Sequence, residues 1–396
     1  MKSRLEEEMI GLGGYRVLSW ERVGEKRVDV HVEPKEETRS CRHCGNQKLH
    51  SKGRYTRKVR HLPIFGAASR LLIHTRRLRC LRCLKVFVPK LQAVLPGRHS
   101  TEPFRSEVYE HHHRGIAASN LAELLKLGSA TVARIYNQFT ARKASERVSM
   151  LCPMVLGIDE HTLHKGNRFV TTFCDLKNHR VFDVVPGKSE RDLAAFIHSL
   201  QGKEKVRVVC IDLSSPYRSL IEKWFPNAKI VADRFHVIRV VIHHFLALCR
   251  KIAPEIKNNR GALALLRMNR KNLTAAQKLR LLNLFKTYPA FQPLYEQMHK
   301  LRALLNVKNR TKKQCKALAA SFCRHISELV ESRFEPLQTL ANTLQNWAQP
   351  IARMWRFTKS NGITEGFHRK MKLIQRRAYG FRNFLNYRLR VIAQCG

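Results

Sequence analysis

The stretch Met154-Val155-Leu156-Gly157-Ile158-Asp159-Glu160 constrains this chain more than any other, because an apolar run stops there abruptly at two carboxylates. A run this short predicts a buried strand, and acids at its end mark where that strand leaves the core for water. Enzymes of the α/β class place chemistry at such points. Residues 168–174 and 180–185 follow, rich in β-branched and aromatic side chains, with Asn178-His179 as a turn, so the three segments read as a meander. Ser189 opens a helical pattern carrying Leu193, Phe196, Ile197 and Leu200. Residues 206–211 predict a second buried strand, ended by Asp212. Ser214 to Tyr217 starts a helix with Pro216 in its first turn, residues 229–232 form a short strand, and Asp233 begins another helix. The order β-β-β-α-β-α-β-α is that of an α/β domain with a mixed sheet.

Neighbouring side chains in a strand face opposite ways, so only one of Asp159 and Glu160 points into a common site. Asp233 competes with Asp212 as a second acid; alternatively it caps the helix that follows it. His236, one turn on, would touch a nucleic acid or simply pack.

Upstream, residues 15–20 and 27–32 alternate like short strands about Gly24-Glu25. Two Cys-x2-Cys knuckles come next, Cys41/Cys44 and Cys80/Cys83, with the strand-like segment 67–74 between them. Each knuckle turns two sulfurs toward one point, so the four thiolates would hold a structural Zn2+ in a tetrahedron. A pair of redox disulfides or four unrelated thiols stay open, and His43, His50 or His74 would be substitute ligands. Arginines and lysines from Arg54 to Arg82 crowd this module, which suits a grip on phosphate. The remaining cysteines, such as Cys152, Cys174, Cys210, Cys249 and Cys323, sit singly in apolar stretches, as reduced and buried thiols do.

From Phe104 the pattern turns helical: 104–113, then 119–125 with Ser119 or Asn120 as cap, then, after Gly128, a third helix over 130–139 capped by Ser129. A short helix, a glycine-containing turn and an amphipathic helix match a helix-turn-helix, in which Ser129, Thr131 and Arg134 would lie near base edges or phosphates. A plain helical bundle shows the same spacing. His111-His112-His113 point in successive directions around a helix and read as a solvated face. Residues 141–147 read as a polar linker.

Charge decides the kind of partner. Lys and Arg number 74 against 30 Asp and Glu, a net +44, which calls for a polyanion, double-stranded DNA before all others. No apolar run approaches the roughly 18 residues of a membrane span and Met1 to Glu8 holds no signal-peptide core, so a cytoplasmic, nucleoid-associated protein is expected, with no membrane partner.

From about 237 to 354 the pattern is helical and basic, an insertion. It leads to Ser360-Asn361-Gly362-Ile363-Thr364-Glu365-Gly366-Phe367-His368-Arg369-Lys370-Met371-Lys372, where Asn361-Gly362 predicts a turn and Ile363, Phe367 and Ile374 the apolar side of a helix. Glu365 is the sole side-chain carboxylate between Glu335 and the C-terminus. An ion pair with a neighbouring lysine would explain it. With Asp159 and Asp212 it would instead hold two Mg2+ (or Mn2+) ions about 4 Å apart for phosphodiester chemistry, since hard oxygen ligands suit that cation.

These residues resemble the bacterial insertion-sequence DDE transposases of the ISL-three (ISL3) group over most of the chain. The resemblance rests on the four-cysteine module, the helical triplet, Gly157 to Glu160 with Lys165-Gly166 and Arg168 to Thr171, Asp212 to Tyr217, Ala232 to Val237, and the block 361–383. It implies a zinc-binding module over 1–98, a helix-turn-helix domain over 99–148 and a ribonuclease H-like catalytic domain over 149–396. Asp159, Asp212 and Glu365 would be the triad, Arg369 and Lys372 DNA contacts beside it, and a homodimer would hold two transposon ends while 3′ hydroxyls are exposed and joined to target DNA. The histidines at 161 and 164 depart from the expected pattern and leave a role near the metals open. A non-catalytic DNA-binding regulator, or a ribonuclease H-like nuclease without strand transfer, are the competing readings.

Overall fold

The computed structural model describes residues 8–148, 151–163, 169–357, 362–378, 380–381 and 383–396. Asn361, His164 to Arg168, Tyr379 and Arg382, which carried parts of the expectations above, lie outside them. The chain gathers into two compact units, Met1–Arg142 and Lys143–Gly396.

In the first unit, β1 (Tyr15–Val23) and β2 (Arg27–Pro34) pair antiparallel through a turn in which Gly24 takes a φ of 63°. The longer hairpin of β3 (Leu49–Ile64) and β4 (Ala67–Cys80) turns at Phe65-Gly66, both at positive φ, the geometry that matches the twist of paired strands. β4 pairs parallel with β2 and antiparallel with the two-residue β5 (Val86–Phe87). Val28, Val30, Val32, Leu71 and Ile73 alternate into the core beneath this sheet. Three helices follow, α1 (Glu102–His113), α2 (Ala118–Leu124) and α3 (Ser129–Arg147), around Phe104, Val108, Leu121, Val132, Ile135 and Tyr136. Thr101 caps α1, whereas neither Ser119 nor Asn120 caps α2; its cap position is Ala117, without a side-chain bond. Ser129 is the first helical residue, and the Gly128 carbonyl accepts from the Val132 N–H. The expected linker 141–147 is the last part of α3: its Ala, Arg, Lys and Glu are good helix formers, and neither Gly nor Pro interrupts them.

The second unit is built on a five-stranded sheet. β6 (Val155–Thr162), β7 (Phe169–Asp175) and β8 (Arg180–Pro186) form the antiparallel meander, and β9 (Val208–Ile211) and β10 (Lys229–Ala232) extend it in parallel on the other side of β6. Leu156, Ile158, Phe173, Val209 and Ile211 face one core with Leu193 and Ile197 of α4 (Glu190–Ser199), Tyr217, Leu220 and Ile221 of α5 (Ser215–Trp224), and Val237, Val241 and Phe245 of α6 (Arg234–Ile252). Truncating a wholly buried aromatic such as Phe173 there would cost about 3–5 kcal/mol. Ser189 closes a capping box on α4, worth about 1 kcal/mol.

Six further helices complete the helical part, α7 (Arg260–Arg267), α8 (Ala275–Thr287), α9 (Phe291–Leu305), α10 (Lys312–Val330), α11 (Glu335–Asn346) and α12 (Ala348–Arg353). The chain then returns to the sheet, where α13 (Gly362–Arg377) and α14 (Phe384–Cys395) cover its opposite face through Met371, Ile374, Tyr387 and Val391. Arg388 of α14 grips Asp183 of β8 through two bonds of 2.6 Å. Cys152, Cys174, Cys210 and Cys249 are buried free thiols as expected, but Cys323 is exposed on α10. No helix among the described residues is long and apolar enough to cross a membrane.

Candidate functional site

Sheet register brings two of the three acids together. Gly157 of β6 pairs with Cys210 of β9, so two residues further along each strand Asp159 and Asp212 emerge at one level of the sheet. Pleating decides their face. Leu156 and Ile158 enter the core with α4 to α6, so Asp159 and His161 project toward α13 and α14. Glu160 goes the other way, where its carboxylate accepts from the Tyr217 hydroxyl at 3.3 Å and lies 3.9 Å from Lys188 Nζ.

Asp159 is 9% exposed, and its Oδ1 accepts the Glu160 N–H at 2.8 Å. Burial pushes its carboxyl up to about 6, with Asp212 and Asp233 adding to the shift and His236 opposing it. Asp212 is raised by burial too, and then by Glu160 and Asp233. Its Oδ1 is buried without a hydrogen-bond partner among the described residues. A buried, unsatisfied carboxylate oxygen is expensive unless a cation completes it, so this pair has the donor chemistry of a hard divalent metal site.

Asp233, the rival acid, caps α6: its Oδ2 accepts the His236 N–H at 3.3 Å and meets His236 Nδ1 at 2.8 Å. That bond raises the His236 pKa.

Glu365 stands in the first turn of α13 at 43% side-chain exposure, ion-paired to Arg369 at 2.9 Å. The partner is thus an arginine one turn on rather than a lysine. Among the described residues, the only set of three or more Cys, His, Asp or Glu ligand atoms lying within 4.8 Å of one another is the four-cysteine group, so Glu365 does not converge with the two aspartates to that degree. The buried stripe of α13 is Thr364, His368, Met371 and Ile374, one position from the apolar side expected; Ile363 and Phe367 are only partly buried. Polar residues lead this stripe because the sheet offers them partners. His368 Nε2 meets Thr172 Oγ1 at 3.1 Å, and its Nδ1 lies 3.8 Å from Asp159 Oδ2. His161 Nδ1 shares the same Thr172 hydroxyl at 3.2 Å, and its Nε2 meets the Tyr387 hydroxyl at 2.8 Å. Burial depresses both imidazoles, His161 to about 3 and His368 to about 4. Sequence reasoning passed over Thr172, His368 and Tyr387. A histidine three residues after the glutamate, hence on an adjoining helical face, was the available signal.

The cysteines do converge. Cys41 Sγ lies 3.7 Å from Cys83 Sγ, and Cys44 Sγ 3.5 Å from Cys80 Sγ. Four sulfurs at Zn–S distances of about 2.3 Å in a tetrahedron would be about 3.8 Å apart, so the cluster has the size zinc requires. The His43 and Arg82 N–H groups donate to Cys41 and Cys80 at 3.4 Å, and N–H bonds from Cys83 and Arg82 pull the Cys80 thiol down to about 6. His74 is engaged elsewhere, with His31 at 2.9 Å and Thr56 at 3.1 Å.

Ser129 and Arg134 are exposed on α3 and Thr131 is half-buried, its hydroxyl accepting from Arg134 at 3.2 Å, while Val132, Ile135 and Tyr136 point inward. Arg369 and Lys372 are exposed on α13. Not every arginine of the first unit is available to a ligand: Arg57 binds the Arg98 carbonyl, Arg60 the Leu125 and Lys126 carbonyls, and Arg70 the Asp29 carboxylate.

Residues 156–391, a span holding Asp159, Asp212 and Glu365, match the ISL3 group of DDE transposases, described as Transposase. Residues 37–83, with all four clustered cysteines, match the zinc-finger of transposase IS204/IS1001/IS1096/IS1165. The chain is 28% identical to the transposase for insertion sequence element IS1001 of Bordetella parapertussis, over 96% of this chain and 95% of that protein. It is 25% identical to the transposase for insertion sequence element IS1557 of Mycobacterium tuberculosis, over 90% of this chain and 86% of that one.

Proposed function

This chain belongs to the ISL3 family of transposases, and on that premise we propose that it binds the terminal inverted repeats of its own insertion sequence and cleaves and joins DNA strands through Asp159, Asp212 and Glu365. The observation that carries the reading is the register that sets Asp159 and Asp212 side by side on one face of the sheet, both with raised pKa and one with an unpartnered buried oxygen. A meander continued by two parallel strands supports a ribonuclease H-like catalytic domain over 149–396, with the helices of 237–354 as its insertion.

Asp159 and Asp212 would hold Mg2+ or Mn2+, with Glu365 as third ligand once released from Arg369. The ions would supply activation of water or a 3′ hydroxyl on one side of a phosphodiester and stabilisation of the leaving oxygen on the other. The protein's part is positional. The Glu160 N–H holds one oxygen of Asp159 while His368 faces the other, and the Asp233 cap keeps His236 beside both acids. Arg369 and Lys372 would meet phosphates next to the glutamate.

In the first unit, the zinc module of 1–98 would stiffen a basic surface. The helices of 99–148 would act as a helix-turn-helix, with Ser129, Thr131 and Arg134 toward the major groove; the exposure of Ser129 and Arg134 on α3 supports this. Joining two ends to one target requires two active sites, hence a homodimer on DNA, and the activity belongs in the bacterial cytoplasm at the nucleoid.

The test is an assay with purified full-length protein, labelled DNA carrying the repeats that flank its gene, a plasmid target and Mg2+. Joined products from the wild type, and none from Asp159→Ala or Glu365→Ala, support the reading. Repeat binding without cutting by any of the three proteins would favour a regulator. Cutting without joining would favour a nuclease.

A further inference from the structure

Along α6, from Phe235 to Arg250, runs a groove of about 510 Å³ whose lining includes no carboxylate. Four guanidinium groups border it, those of Arg239, Arg250, Arg267 and Arg302, and between them its floor is apolar, with Ile242 and the ring of Phe235. Phe235 is 51% exposed, unusual for so large an apolar side chain in the first turn of a core helix. Its ring meets that of His236 edge-on at 5.7 Å between centroids, and the Arg239 guanidinium stands 5.9 Å from its centre. Arg302 is fixed by donating to the Arg267 carbonyl at 2.6 Å.

The chemistry of this lining selects its occupant. Uncompensated arginines demand a polyanion, but an apolar floor with an open aromatic face is a poor match for the phosphate exterior of a duplex, whose bases are already stacked on one another. An unpaired strand offers both halves at once, phosphates for the guanidinium groups and a free base face for the ring. We infer that this groove binds an unpaired segment of a DNA strand, with a base stacked on Phe235 and Arg239, Arg250, Arg267 and Arg302 along its backbone. Phe235 lies in the first turn of α6 beside His236, whose charge, like that of Arg239, acts on Asp212, so the Phe235 end of the groove is the end toward the acids. The link to strand processing rests on the function proposed above; binding itself does not.

The experiment measures fluorescence anisotropy of a short labelled oligothymidylate and, separately, of a blunt duplex of equal length, with the full chain in metal-free buffer. Phe235→Ala is expected to weaken oligothymidylate binding roughly tenfold and leave duplex binding unchanged, and Phe235→Trp to restore it. Arg239→Gln with Arg267→Gln should lower the slope of log affinity against log salt by about 0.7 per arginine for the single strand. Unchanged single-strand affinity in Phe235→Ala, an equal loss for duplex and single strand, or a tryptophan variant as weak as alanine would each overturn the proposal. No cleavage is read, so a failed strand-transfer assay and a failed groove register in separate experiments.

Discussion

His368 Nδ1 stands 3.8 Å from Asp159 Oδ2, on a helix that reaches the sheet only after the whole helical insertion has intervened. The other ring nitrogen is tied to Thr172, the cross-strand partner of Asp159 in the β6–β7 pair. The imidazole therefore couples the helix carrying Glu365 to the strand carrying Asp159. Partners that orient ligands typically matter 10- to 100-fold, so His368→Ala should reduce Mg2+-dependent cleavage by about that factor and raise the Mg2+ concentration needed for half-maximal rate. His368→Asn, which retains a short polar side chain, should recover part of the loss. Cleavage titrated with Mg2+ for the three proteins checks this, and an unchanged titration would show the contact to be incidental.

Replacing Asp159 by asparagine separates stability from activity. A carboxylate with a pKa pushed up to about 6 by burial is poorly solvated when charged and without a metal. Asp159→Asn should thus melt at or slightly above the wild-type temperature in metal-free buffer. Millimolar Mg2+ should raise the wild-type Tm and leave the variant where it was, because binding to the folded state alone stabilises by mass action. Thermal melts with and without Mg2+ decide the matter.

Acid should weaken the second unit through its buried imidazoles. His161 and His368 have folded-state pKa values of about 3 and about 4, below the 6.5 of an unfolded chain. The unfolded chain then binds more protons as pH falls through 6.5, and stability is lost progressively below that point, by up to ~1.4 kcal/mol per pH unit for each histidine. Asp159 acts in the opposite sense between about 6 and 3.8, where the folded state holds the extra proton. Metal-free Tm should therefore fall from pH 7 to pH 5, and fall more steeply in Asp159→Asn, which lacks the opposing contribution. A flat profile in both proteins would contradict the buried, neutral assignment of the two rings.

Zinc should be stoichiometric and local in effect. Beyond its thiols, the small core around the knuckles offers Phe87 with Leu49 and Leu78 at its margin, too little apolar surface to hold the loops without metal. Cys44→Ser or Cys80→Ser should lose about one bound zinc per chain by elemental analysis and expose the 41–83 region to proteolysis. The helical circular dichroism of the second unit should persist. Retention of full zinc in either variant would point to a different ligand set.

β6 runs on through Thr162, so Asp159 is a buried mid-strand residue and not the exposed strand end that its place after an apolar run suggests. At Asp212 the apolar run and the strand do end together, and there the carboxylate was legible from the chain alone. The same holds for the cysteine knuckles, whose spacing is itself the geometry. Capping was harder to read: Ser119 and Asn120 are good caps that cap nothing, because the helix starts before them at Ala118. The polarity of 141–147 suggests a linker, but its residues are helix formers and an exposed helical surface is polar as well.

What residue order determined, then, is a local matter: strand and helix types, knuckles, the excess of positive charge and the candidate acids. Only tertiary structure decided which of those acids meet. The pairing of Gly157 with Cys210 fixes Asp159 beside Asp212, and hydrogen bonding assigns Asp233 to a helix cap. The relay from Tyr387 through His161 and Thr172 to His368 joins residues from four separate elements. No periodicity encodes it, since hydrogen bonds across a core depend on which faces are brought together, and that depends on the packing of the whole sheet.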